Sequence, residues 1–532
     1  MVPTTTSLSN PSPSPPPPPI PSFSVLFTSI PTTLSNIGKT AAWREAKLLL
    51  RLAIPTVIIQ LGGVLPNFLT ASYVGRQFGS VFLDGFTLAN LMGNLCNLSL
   101  LQGLYTAADT LSPQAFGAGN YKEVGLLAIR GYLASWLVLI PINAVLFMGF
   151  SRAMIAVGQD VQAATVAQAW YRLYACGLPF YALYMVTWKF LSAQETMQPL
   201  VVVCLICCGI ILPCSLEFFT RSFGYLGSAL AIVCYQSSQS LLLILYLRWK
   251  RPHTPGTWPG LLWKEALHWK PLKNYILLGI GGMLASSEWI YWEVLSLLIG
   301  TLGVVPLSVH TIPTQVLMVG FMFPLGIGIA LAVRLGATIP KNVHRAQQLT
   351  ITCFVASAVL FALIATWMYR NRDFIFRIFT KEPDVLAGCE RIWWKVTVYY
   401  WNLSVYGINM GIATGLGMQW MFGIVTVVFL WGFSLPGMYY FAILHGGGLD
   451  MAWGCIYPPY IGMNLCFAYA FWVADWEKIR MEIRRREGMD EKLLNGSQEE
   501  IYEELPLVVP TCQYGSLEET TSTVLQQQNG YH

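Results

Sequence analysis

Between about residues 49 and 474 the chain is a succession of apolar stretches with few charges, separated by polar connections, and this pattern decides what it can fold into. In lipid, only a helix or a closed barrel satisfies its own backbone hydrogen bonds, and a helix needs about 20 apolar residues to cross. Such runs fall at about 49–75, 85–111, 124–149, 166–193, 200–221 and 224–248, then at about 276–300, 307–334, 349–369, 394–417, 422–444 and 449–474. The expectation is an all-α polytopic membrane protein with twelve transmembrane helices. Composition excludes a water-soluble globule: 55% of residues are hydrophobic and 11% charged, against roughly a quarter charged in an ordinary soluble domain. A net charge of +5 is too small to argue for a nucleic-acid partner.

The organisation follows from where polarity returns. Residues 1–43 open without Lys or Arg up to residue 38 and include Pro15 to Pro19 in succession. They lack the basic start and apolar stretch of a signal peptide and read as a disordered, uncleaved tail. A six-helix bundle over 44–250, a linker over 251–273 rich in Lys, Pro and Trp, a second bundle over 274–476 and a disordered tail over 477–532 complete the expected layout. The triple Arg484-Arg485-Arg486 reads as a solvated stripe against anionic headgroups. Two echoes link the halves: Gln114-Ala115-Phe116-Gly117-Ala118 with Arg334-Leu335-Gly336-Ala337, and Met197-Gln198 with Met418-Gln419. They suggest a duplicated unit, which in secondary transporters places the site at the repeat interface. Ten of the twelve Cys, from Cys96 to Cys466, fall in apolar segments and read as small core residues.

Ionisable side chains inside a bilayer are costly, so each is a functional candidate. Glu288 and Glu293 sit mid-run in Ser286-Ser287-Glu288-Trp289-Ile290-Tyr291-Trp292-Glu293, Asp109 lies near the end of the second run, and Glu217 and His310 lie near the ends of theirs. At 100° per residue the two glutamates diverge by about 140°, each with a Trp one turn away. A carboxylate among aromatic rings can bind a proton, because desolvation penalises its charge, or an organic cation, by charge and cation–π attraction. Competition of both ligands for one carboxylate is the simplest antiport. Asp109, beside Thr106 and Thr110, suits a gate or a structural hydrogen bond better than proton carriage. No phosphate-binding loop, metal-ligand spacing or nucleophile with its base is visible, so neither an enzyme nor a cofactor or metal is expected.

Taken in order, Leu83-Asp84-Gly85-Phe86-Thr87-Leu88-Ala89, Ala108-Asp109-Thr110-Leu111-Ser112-Pro113-Gln114-Ala115-Phe116-Gly117-Ala118-Gly119-Asn120, the Glu-Trp-x-x-Trp-Glu stretch of helix seven, and Gly411-x-x-x-Gly415-x-Gly417-x-Gln419 resemble the multidrug and toxic compound extrusion (MATE) transporters, with the animal branch nearest. The resemblance implies two pseudo-repeated six-helix bundles in a V, alternating access, and export of organic cations or xenobiotics in exchange for protons. Glu288 and Glu293 match the family's helix-seven glutamates, and Trp289, Tyr291 and Trp292 would line the cavity. Where relatives carry further acids this chain has Leu403 in helix ten and Gln315 in helix eight, and in helix one its strongest polar candidates are Gln60 and Asn67; Gln60, Asn67 and Gln315 are expected to line the cavity as well. The partners expected are a small, cationic organic substrate, a proton (with sodium left open) and the bilayer, for a monomer in the plasma membrane. The alternatives are a lipid or glycan-lipid flippase, which would want a basic cavity, and an exporter of anionic or neutral metabolites with altered ion coupling.

With both ends cytoplasmic, 22 of the 32 Lys and Arg residues flank that side, as the positive-inside rule requires. The loop at 370–395, with six basic residues, runs against the rule. Both tails should therefore be cytoplasmic and the sequon at Asn495 unglycosylated. An epitope in the C-terminal tail that antibody reaches on intact cells would refute this.

Overall fold

The structure is a computed structural model that describes residues 39–488, so the Pro-rich segment before residue 39 and the sequon at Asn495 lie outside the described residues. Every regular element described is helical. Twelve long helical stretches follow the twelve apolar runs: α1 (Lys39–Phe78), α2 (80–117), α3 (Tyr121–Ala156), α4 (161–192), α5 (Gln198–Phe223), α6 (Leu226–Lys250), α7 (269–300), α8 (Val304–Thr338), α9 (Val343–Arg370), α10 (Pro383–Leu416), α11 (Gln419–Leu444) and α12 (Gly448–Val473). Among the described residues seven of these are long and apolar enough to cross a membrane by length and composition alone. Of the others, α4 pauses at Cys176-Gly177, α7 breaks at Ser286, and α2 and α10 carry the polar side chains of the interior.

The turns are written locally. Asn120, Asp160 and Asn342 cap α3, α4 and α9 by accepting the backbone N–H three residues on. The repeat extends into backbone detail. Gly79 and Gly303, both at positive φ, start α2 and α8. A π-helical segment interrupts α5 at Cys207–Ile211 and α11 at Val428–Ser434, 221 residues later, the same offset as the Met-Gln echo.

Each half builds its own core. Leu101, Tyr105, Phe150, Trp170 and Tyr171 centre the first, and Tyr291, Trp393, Tyr399, Tyr406, Trp453 and Tyr460 the second. Apolar side chains such as Val145, Met148, Leu205, Leu363 and Leu465 point outward, as they must where the surroundings are lipid. The halves meet at the end that carries the linker. There the first echo becomes a crossing of α2 and α8: a Cβ on Gly117 would stand 2.7 Å from the Cα of Ala337, and one on Gly336 would stand 2.8 Å from the Cβ of Pro113. Small residues let the backbones come this close. Thr110 Oγ1 donates to the Thr414 carbonyl at 2.6 Å, Gln114 Nε2 to the Gly415 carbonyl at 2.9 Å, and Gln419 Nε2 to the Thr106 carbonyl at 3.3 Å and to the Thr110 hydroxyl. The Arg334–Glu195 ion pair closes the same end.

The linker lies strapped to the first half. Gln194 Oε1 accepts from the Thr254 N–H at 2.9 Å and the Thr257 hydroxyl at 3.2 Å, and Lys122 pairs with Glu265 at 2.7 Å. The C-terminal tail differs from the expectation of disorder from 477. It begins with helix α13 (Trp476–Arg486), capped by Asp475, because Trp476 and Ile483 bury in the second core. The arginine triplet is correspondingly not wholly solvated. Arg484 Nε donates to the Pro340 carbonyl at 2.9 Å, and Arg486 reaches Gln114 Oε1 of the other half at 2.8 Å. The side chain of Glu487, 3% exposed, accepts from Asn120 Nδ2 at 3.0 Å.

Truncation separates the two parts of the tail. Removing residues 1–38 and everything beyond 495 should leave thermal stability in detergent and transport per molecule nearly unchanged, whereas removal from Trp476 onward should lower the Tm by several degrees, since it strips two buried apolar side chains, each worth about 1.5–3 kcal/mol, and the bonds to both halves. Equal melting of the two truncations would show that α13 contributes nothing.

Candidate functional site

Above the closed end, a cavity of about 310 Å³ lies between the halves, bordered by α1, α2, α4, α5 and α6 on one side and α7, α8, α10 and α11 on the other. Its volume suits a small organic molecule. The break in α7 shapes its acidic part. The helix stops at Ala285 and restarts at Ser287, so Glu288 falls in the first turn of the second piece, where the helix dipole favours negative charge. Glu288 borders the cavity yet is only 5% exposed, and Tyr460 donates its hydroxyl to Glu288 Oε1 at 2.6 Å. Glu293 borders the same space, half-buried, with no hydrogen-bond or ion-pair partner among the described residues. The 140° between them therefore does not separate the glutamates: the cavity is broad enough to receive both edges of α7.

The other candidates divide. Trp289, Gln60, Asn67 and Asp109 border the cavity, with Trp289 tilted against Phe321 at 6.0 Å. Tyr291, Trp292 and Gln315 do not, which corrects the expectation that they line it. Tyr291 is fully buried in the second core, where its hydroxyl and that of Ser434 share a hydrogen bond at 2.6 Å. Trp292 stacks on His310 at 6.3 Å and meets Tyr399 edge-on at 5.4 Å. Trp453 of α12 packs against the same Trp292 ring at 6.3 Å. Gln315 shares a stripe of α8 with Met318 and Met322, which do border the cavity, but stands one turn beyond the lining. His310 is packed, with Nε2 at 3.4 Å from the hydroxyls of Ser296 and Thr314. Leu403 is buried in the second core.

Sequence reasoning missed the partner of Asp109. Lys189 of α4 reads in the sequence as a basic flank, yet its Nζ lies 2.7 Å from Asp109 Oδ2, with both side chains under 10% exposed at the cavity floor. Its ammonium also sits 4.9 Å from the Trp188 ring. The available signal was a lone Lys inside an apolar run that lacks any acid of its own. The lining further includes Asn90 and Asn94, whose four-residue spacing within the second run puts both on one face of α2.

A cavity with buried acids, set between two repeated six-helix halves and sealed at one end, defines an integral multi-pass membrane transporter. The chain matches the MatE family over residues 55–216 and 284–440 and belongs to that family. It is 28% identical to multidrug and toxin extrusion protein 1 of Danio rerio over 450 residues, 83% of this chain and 74% of that protein. It is also 28% identical to multidrug and toxin extrusion protein 1 of Homo sapiens over 407 residues, 76% of this chain and 70% of that one. Among solved structures, the crystal structure of the eukaryotic MATE transporter AtDTX14 superposes with a TM-score of 0.77 at 21% identity, covering 84% of this chain and 99% of that one.

Breaking the buried pair from one side should cost more than removing it. Lys189→Met leaves Asp109 charged and unpaired and should destabilise by about 3–5 kcal/mol, read as a lowered Tm in detergent, while Lys189→Met with Asp109→Leu should recover most of the loss. A double variant as unstable as the single would show that the charges do not act as a pair.

Proposed function

We propose that this chain is a secondary antiporter that exports organic cations in exchange for protons by alternating access. The observation that carries the reading is Glu288: a carboxylate on the broken helix α7, at the cavity wall, held by the Tyr460 hydroxyl with the Tyr406 phenol also against it, and otherwise secluded. A carboxylate so placed can hold a proton or face a cation, and cannot do both. The described conformation, sealed at the linker end by the α2–α8 crossing, suits the stage at which a proton enters from the opposite side and displaces a cation outward. Glu293, unpartnered and on the same helix piece, would add to the attraction for cations. With Leu403 in helix ten, these two acids are the carboxylates that the second half contributes to the lining.

Both termini and the linker are assigned to the cytoplasm by the distribution of basic residues, with the plasma membrane as the site of action and the monomer as the working unit. The charges in the lining weigh against the flippase alternative. Lys189 is paired with Asp109, which leaves Glu288 and Glu293 in excess, whereas an anionic headgroup would want the opposite sign.

Glu288→Gln keeps shape and hydrogen bonding but removes titration. It should abolish uptake of a fluorescent organic cation into everted vesicles driven by a pH gradient while protein abundance stays near normal. Glu293→Gln should weaken uptake by a smaller factor. Full pH-driven uptake by Glu288→Gln would sink the coupling role.

A further inference from the structure

The cavity is chemically lopsided. The second half contributes two carboxylates that no lysine or arginine pairs, Glu288 and Glu293, and an otherwise mostly apolar wall that includes Phe321, Met322, Met410 and Phe422. Its one carboxamide in the lining, Gln419, spends its Nε2 on hydrogen bonds to Thr106 and Thr110 of α2 and leaves only its Oε1 without a partner. The first half is the reverse. Gln60 and Asn67 stand seven residues apart on α1, and Asn90 and Asn94 four apart on α2, so each pair forms a stripe along one helix face. None of these four side chains has a hydrogen-bond partner among the described residues, although each amide can donate two hydrogen bonds and accept two.

Nearby groups repeat the pattern. Tyr184 and Trp188 of α4 border the same cavity and are 4% and 5% exposed, and their hydroxyl and indole N–H have no partner. Gln236 of α6, also in the lining and 5% exposed, has an unpartnered Oε1. Buried polar groups normally have a partner, in the protein or in bound water, and the four carboxamides are half-buried in the cavity wall. A wall that leaves this many donors and acceptors unspent, opposite a wall that has few, is built to hydrogen-bond something placed between them.

We infer that the first half is a recognition wall for an uncharged group rich in hydrogen-bonding capacity, so that the substrates are two-ended: a cationic, apolar end toward Glu288 and Glu293, and an end bearing hydroxyls or secondary amides, such as a glycosyl or peptidyl substituent, toward the stripes of α1 and α2. Carboxamides suit both sources because vicinal hydroxyls and secondary amides, like the carboxamide itself, donate and accept at adjacent atoms. The orientation rests on the antiport reading above, since it is Glu288 and Glu293 that fix where the cationic end lies. Charge alone gives no such polarity, because any cation would satisfy the acidic wall.

The test uses the full chain in proteoliposomes with one fluorescent organic cation in four forms: the parent, a glucosyl derivative, an N-methylcarboxamide derivative, and an alkyl derivative of matching size. The glucosyl or carboxamide form, or both, should show a KM on the order of tenfold below that of the alkyl form, the discrimination expected of one or two hydrogen bonds that a greasy substituent leaves unmade. Which of the two is favoured identifies the source. Asn90→Leu with Asn94→Leu should bring the KM ratio to near one, and Asn90→Gln with Asn94→Gln should keep most of the preference. Equal KM values for all four forms with the wild-type protein would overturn the inference whether or not the variants fold, as would a Leu pair that slows every form by one factor. Equilibrium binding of the four forms separates this from failure of the antiport reading: loss of pH-driven movement with the ranking intact would overturn proton coupling and leave the two-ended site standing.

Discussion

The two glycines at the crossing of α2 and α8 govern how the halves of this transporter meet. A helix pair in lipid gains little from hiding apolar surface, because the surroundings are as apolar as the interface; close packing and hydrogen bonds must hold it instead. Gly117 and Gly336 give that closeness, at the two positions of one sequence echo. With the backbones in contact, Thr110 and Gln114 of α2 come within reach of the carbonyls that end α10, and Gln419 within reach of α2. The seal, the α13 clasp through Gln114 and the floor of the cavity all follow from that approach.

Above the seal, the cost of burying charge in lipid dictates where the ionisable groups go. Asp109 and Lys189 neutralise each other at the floor and need no substrate. Glu288 is stabilised differently, by the first turn of a restarted helix and by the Tyr460 hydroxyl. The same broken-helix logic places ion sites in other transporters with internal repeats. The acidic edge of α7 is where the second half concentrates charge, and the amide-lined wall across from it adds a feature that an acid-centred reading leaves out.

The twelve helices and their order were legible because backbone satisfaction in lipid forces any long uncharged run into a helix, whatever its neighbours. The halves were legible too, through two short echoes whose spacing is matched by the π-helical segments of α5 and α11. Helix α13 was not. Its sequence, Trp476 to Arg486, is strongly charged, and nothing local reveals that Trp476 and Ile483 find a core to enter or that Arg486 finds Gln114.

For the site, the sequence by itself determined which groups were too costly to be in the membrane by accident: Glu288, Glu293 and Asp109 stand out because their charge must be solvated by something. The tertiary structure alone decided what that something is. Whether an acid meets a lysine or a tyrosine depends on which helix lies across from it, so Lys189 could pass for a membrane flank until α4 was set beside α2. Likewise Tyr291 and Trp292 share a helix with Glu288 but turn into the second core, and Asn90 and Asn94 gain meaning only opposite an acidic wall contributed by residues some 200 positions away. Charge announces itself in one dimension because its cost is intrinsic. Facing does not, because it belongs to pairs of helices and is fixed by their packing.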